Sequence, residues 1–111
     1  MWPQDTARPN PKKETHMSAL LSVTIAVKDP EKLKNYITKV PSTMAPHGAK
    51  MLSRGKIAKV LNGEVAHQME VVFEFPSENA IDAWFNSDAY QAIVAIREEA
   101  AHMNISILHP F

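Results

Sequence analysis

The chain has no cysteine, which removes disulfides, thiol catalysis and cysteine-held zinc or iron–sulfur centres from consideration. Small secreted domains commonly depend on disulfides, so a reducing compartment, the cytoplasm, is the expected location. An excess of one charge is also missing: 12 basic residues balance 12 acidic ones, with no long block of either sign. A nucleic-acid groove needs a clustered basic face, and an electrostatic membrane contact needs a polybasic patch, so neither partner is expected. The longest apolar run, Ala19–Val27, is broken by Ser22 and Thr24 and is too short to span a bilayer. With only three glycines there is no phosphate loop, dinucleotide fingerprint or nucleophile elbow. The five histidines, His16, His47, His67, His102 and His109, form no i,i+4 helical pair and no HExxH. Neither a metal nor a cofactor is therefore expected.

What is present fits one domain, since typical domains run to about 100–150 residues. Residues 1–17 carry Pro3, Pro9 and Pro11 among polar residues and have too little apolar content for a core. They read as a leader, either a flexible tail or an arm that docks on a partner through Trp2. Residues 18–111 read as the folded unit. A domain this small buries a modest share of its surface, so it gains from self-association.

Leu20–Val27 alternates with a period of two and predicts a strand. Asp29-Pro30-Glu31 then opens a helix, with a capping carboxylate followed by proline at the first helical position. Leu33, Tyr36, Ile37 and Val40 follow at helical spacing, Pro41 should end or kink the helix, and Gly48 closes the segment. Ala49–Leu61 predicts a second strand, bent at Gly55, and Asn62-Gly63 predicts a turn. His67–Phe75 predicts a third strand with Met69, Val71, Phe73 and Phe75 on one face. Ser77 and Ser87 each cap a helical piece, and Met103–Leu108 predicts the last strand. The order β-α-β-β-α-β is that of the ferredoxin-like α+β fold, a four-stranded antiparallel sheet with helices on one face.

The opposite sheet face is mixed: Ser22, Thr24, Glu70, Val72 and Glu74, joined by Asn104 and Ser106. It either meets water or packs against the same face of a second copy, closing a barrel. In the second case Glu70 and Glu74 need cationic partners, and Arg54 on the second strand is the expected one.

Several stretches occur together and in order: Asp29-Pro30, Val40-Pro41-Ser42-Thr43, His47-Gly48-Ala49, Ser53-Arg54-Gly55 and Glu74-Phe75-Pro76-Ser77. The most specific is Trp84-x-x-Ser87-x-x-Tyr90-Gln91, followed by Arg97. On these residues the chain from Leu20 to Leu108 resembles the domain of unknown function 1330 family, of the dimeric α/β-barrel group. The resemblance implies a monomer that dimerises sheet to sheet, and it implies no established activity. Fold relatives include antibiotic-biosynthesis monooxygenases, muconolactone isomerases and haem-degrading enzymes. The chain departs from the family pattern at Lys56, where a second glycine is common. It departs again at Glu64-Val65-Ala66-His67, where a turn rich in tryptophan and proline is common.

The candidate site residues are His47, Tyr90 and Arg97 for catalysis, and Arg54, Trp84, Ser87 and Tyr36 for ligand binding. Tyr90 and Arg97 share one helical stripe. In one reading Tyr90 donates a hydrogen bond and Arg97 clamps a carboxylate or phenolate. In the other, Tyr90 is a core aromatic and Arg97 pairs with an acid such as Glu98 or Glu74. His47, next to Gly48 in a turn, is the best proton-transfer candidate by residue type. Trp84 and Phe85 are adjacent, so one belongs to the core and the other to the cleft or a dimer contact. Three functions remain open: a small-molecule binder taking an aromatic or carboxylated compound in a cleft between sheet and helices, a cofactor-independent monooxygenase- or isomerase-like enzyme, and a structural dimerisation module.

Overall fold

The alternation of Ala19–Val27 is realised as strand β1 at the centre of a sheet. Ala19, Leu21, Val23 and Ile25 are buried on one side, with Ser22 and Thr24 half-buried on the other. The computed structural model describes residues 18–110. The leader read in residues 1–17 lies outside the described residues. β1 pairs antiparallel with β3 (Met69–Phe75) and with β4 (Ala101–Leu108), and β2 (Lys50–Lys56) joins the outer side of β3. The sheet order is β2-β3-β1-β4. This is the ferredoxin-like α+β arrangement the sequence pattern predicts.

Helix α1 (Pro30–Met44) begins where the Asp29 carboxylate accepts hydrogen bonds from the amides of Glu31 (3.1 Å) and Lys32 (3.2 Å). These are amides that the first turn otherwise leaves unpaired. Pro41 does not end α1. It lies inside the helix, which continues to Met44 and passes into a single 3-10 turn, Ala45–His47. That turn closes at Gly48 in the left-handed region, with φ 78°.

After β3, helix α2 (Glu78–Phe85) starts at Ser77, whose hydroxyl accepts from the amide of Ala80 at 3.1 Å. The short α3 (Asp88–Gln91) starts at Ser87, and α4 (Val94–Ala100) leads directly into β4. The core between sheet and helices is built on Trp84, Tyr90, Phe75, Leu21 and Ile81, all almost completely buried. Trp84 packs on Tyr90 with ring centroids 4.3 Å apart and on Phe75 at 5.8 Å. Emptying such a site, as in Trp84→Ala, typically costs about 3–5 kcal/mol.

Two sequence expectations fail at β2. The strand ends at Lys56, far short of Leu61, and the irregularity lies between Met51 and Ser53 and not at Gly55. Met51 faces Phe73 and Ser53 faces Val72, so Leu52 is an extra residue, a β-bulge. An uninterrupted period of two would put Arg54 opposite Glu70. With the bulge, Arg54 stands opposite Val71, and Gly55 stands opposite Glu70. The pairing of Arg54 with Glu70 and Glu74 across the open face is therefore not formed, because Arg54 lies on the helix side of the sheet.

Candidate functional site

The helix side of the sheet is not fully filled. A cavity of about 570 Å³ lies between α1 and the strands. Its floor comes from the inward side chains of the sheet, Val23, Val71, Phe73 and Ile105 among them, and its roof from α1 through Tyr36, Val40 and Met44. Trp84 closes the side next to the core. The strand side is open along β2, all of whose residues are exposed, and there Met51, Arg54 and Lys56 form the margin. Among the described residues neither Arg54 nor Lys56 forms an ion pair. The cavity is thus an apolar chamber with charged groups at its edge, Arg54 and Lys56 together with Glu70, the general form of a small-molecule site. Methionines 44, 51, 69 and 103 all line it, in keeping with the adaptable packing of thioethers. A shallower hollow of about 350 Å³, lined by Ser53, Val72 and neighbours, borders the β2–β3 ladder and also touches Arg54.

Polar groups on the core side are tied to each other. The Trp84 indole N–H donates to Thr43 Oγ1 (3.0 Å), and the Thr43 hydroxyl donates to the Val40 carbonyl (2.7 Å). The hydroxyls of Tyr36 and Tyr90 are 2.6 Å apart, and Arg97 Nη1 donates to the Tyr90 oxygen at 3.0 Å. Arg97 Nη2 donates to the Glu98 carboxylate at 2.8 Å. Burial, and after it the neighbouring Tyr90, push the Tyr36 hydroxyl well above the ordinary phenol range, so it is held protonated. Burial opposes the Arg97 charge, but the hydrogen bonds to Glu98 and Tyr90 outweigh it and hold the guanidinium above its usual pKa. The same bond from Arg97 holds the Glu98 carboxyl below the usual range.

Of the seven candidates, Tyr36, Trp84 and Arg54 line the cavity. Tyr90 and Arg97 do not; they stand behind Tyr36, joined to it through the hydroxyl pair. Arg97 therefore pairs with Glu98, one of the acids anticipated for it, while also reaching Tyr90. Ser87 is a capping residue: its hydroxyl donates to the Trp84 carbonyl (2.7 Å) and accepts from the Tyr90 amide (3.2 Å). His47, half-buried on the 3-10 turn, does not line the cavity. Trp84 takes both the core role and the cavity wall, and the half-buried Phe85 packs on Tyr90 at 5.4 Å. Thr43, missed in the sequence, fixes the Trp84 indole. Its signal was present, in that Thr43 and Val40 are three apart on one helical face.

The family model described as Domain of unknown function (DUF1330) matches residues 18–111. The chain belongs to this family. No curated protein matches it. Among solved structures it is similar to a protein of unknown function from Rhodopseudomonas palustris, with TM-score 0.77 and 14% identity over 94% of this chain and 95% of that one. It is similar to a dimeric ferredoxin-like protein of unknown function from Thermobifida fusca, with TM-score 0.61 and 16% identity over 85% and 92%. A third is SnoaB, a cofactor-independent oxygenase from Streptomyces nogalater, with TM-score 0.63 and 4% identity over 85% and 93%. At such identities the likeness is one of fold. The family match leaves the activity open, and among the described residues no helix is long and apolar enough to cross a membrane.

Proposed function

We propose that this DUF1330 protein is a small-molecule binder that works as a homodimer through its open sheet face. The observation that carries the reading is the 570 Å³ apolar cavity with Arg54 at its margin and no acid paired to it among the described residues. Such a chamber favours a compound with an aromatic body and a carboxylate, the body among the methionines and the carboxylate at Arg54. Dimerisation is supported by the half-buried, mixed face of Leu20, Ser22, Thr24 and Val72, and by the dimeric description of a relative of the same fold. The cytoplasmic location belongs to the same reading, supported by the cysteine-free composition.

Calorimetric titration with 2-naphthoate tests it. Binding is expected in the micromolar to millimolar range, weakened about threefold to tenfold by Arg54→Met, as suits an exposed charge-assisted contact. No heat of binding to the native protein would overturn the binder and leave the structural dimerisation module standing.

A second reading, a cofactor-independent enzyme, is favoured by one feature, the hydrogen-bonded series Tyr36–Tyr90–Arg97 behind the cavity wall. In it Tyr90 and Arg97 act through Tyr36, and His47 is a proton-transfer group reached only indirectly. Turnover of a bound aromatic compound that is lost in Tyr90→Phe would select this reading; loss in His47→Ala as well would keep His47 in it, and an unchanged rate there would remove His47 from the mechanism.

A further inference from the structure

The hydrogen bonds behind the cavity wall have a direction that the supply of donors and acceptors decides. Each tyrosine hydroxyl has one proton to donate and lone pairs to accept with, whereas a guanidinium only donates. Arg97 donates to the Tyr90 oxygen, so the bond between the two hydroxyls can run either way. If Tyr36 donated to Tyr90, the Tyr90 oxygen would accept twice and its own proton would have no acceptor among the described residues. Tyr90 is completely buried and does not line the cavity, so that proton would be stranded in the core, at a substantial desolvation penalty. If Tyr90 donates to Tyr36, the buried Tyr90 proton has its acceptor, and the hydroxyl proton left over belongs to Tyr36. Tyr36 is the member of the series that lines the cavity.

We propose that Tyr36 is the hydrogen-bond donor of the cavity, taking a carbonyl or phenolate oxygen of an aromatic ligand, with Tyr90 and Arg97 as positioning residues that fix its proton outward. The inference rests on the reading of the cavity as a ligand site and narrows it: the ligand carries an accepting oxygen towards α1 as well as an anionic group towards the edge strand. A chain that begins at a cation and ends at a hydroxyl polarises that hydroxyl towards donation. The pair suits an oxygen on which negative charge sits or develops, such as that of an aryl ketone, a quinone or a phenolate.

Two probes of the same shape test this on the full chain: 6-acetyl-2-naphthoate, and 6-isopropenyl-2-naphthoate, in which a methylene replaces the carbonyl oxygen. The native protein is expected to bind the acetyl probe about tenfold more tightly. Tyr36→Phe is expected to bring that ratio to one, weakening the acetyl probe about tenfold more than the isopropenyl probe. Tyr90→Phe, which leaves Tyr36 in place but cut off from Arg97, is expected to give an intermediate ratio. A simple loss of packing would lower both affinities together and leave the ratio alone. Equal binding of the two probes by the native protein, or a ratio that survives Tyr36→Phe, overturns the assignment while the cavity remains a ligand site. If neither probe binds, the ligand site and the donor fall together.

Discussion

Thr43 shows how little separates a structural residue from a site residue in this protein. Its hydroxyl donates to the Val40 carbonyl and accepts the indole N–H of Trp84, a side chain that belongs to both core and cavity. Thr43→Val keeps the shape and removes the acceptor, leaving a buried indole N–H unpaired. The expected cost is about 1–3 kcal/mol, read as a lowered denaturant midpoint with an unchanged m-value. An unchanged midpoint would mean that Trp84 finds another acceptor. At this scale the sequence was a fair guide to which residues matter and a poor one to what they do. Trp84, Tyr36 and Arg54 were legible as cavity residues from their chemistry. Ser87 and Tyr90 look the same in sequence as ligand-contacting groups, yet one is a cap and the other is sealed behind Tyr36. Distinguishing them needs the depth of each side chain beneath the surface, and periodicity reports direction only.

Elements are held at their joins. Gly48 ends the 3-10 turn at φ 78°, and a Cβ there would stand 2.8 Å from Pro76 Cγ. Gly48→Ala therefore combines a left-handed backbone with a steric clash against the start of α2. A loss of about 1–3 kcal/mol is expected from the backbone conformation alone, with the clash adding to it. Thermal melting checks it; a melting temperature within a degree of the native value would refute it. The join that sequence reading missed is in β2. The glycine suggested a bend at Gly55, yet the extra residue is Leu52, a position with no local signal. A bulge is set by how two strands align, and the partner strand is some twenty residues away along the chain. At Pro41, where the helix was expected to end or kink, it does not end: α1 continues to Met44, and Pro41 lines the cavity.

The whole molecule has two faces of different character: a helix-covered side holding the cavity, and an open side of mixed polarity. Fold class was fully legible, because β-α-β-β-α-β order leaves few topologies and the residues between Leu20 and Leu108 carry the family's pattern. The open face is where association is predicted. Val72 sits there, half-buried, opposite Ser22 and Ser53. Val72→Arg places charge in that face without touching the core. Sedimentation is expected to show the mutant as a monomer, with the native protein a dimer at the same concentration and the far-ultraviolet spectrum unchanged. A mutant that sediments as the native protein does would remove the sheet-to-sheet contact.

The bulge at Leu52 has a consequence for comparing one member of the family with another. It resets the parity of the edge strand, so that Met51 and Arg54, an odd number of residues apart, look into the same chamber. Losing Leu52 outright would keep Arg54 where it is. Regular pairing with every residue retained would carry the arginine through the sheet to stand opposite Glu70. The location of this charge is thus a property of the backbone and not of the residue. An arginine aligned with Arg54 in a relative is equivalent only where the bulge is kept; without it, the same letter in the sequence would serve the opposite face.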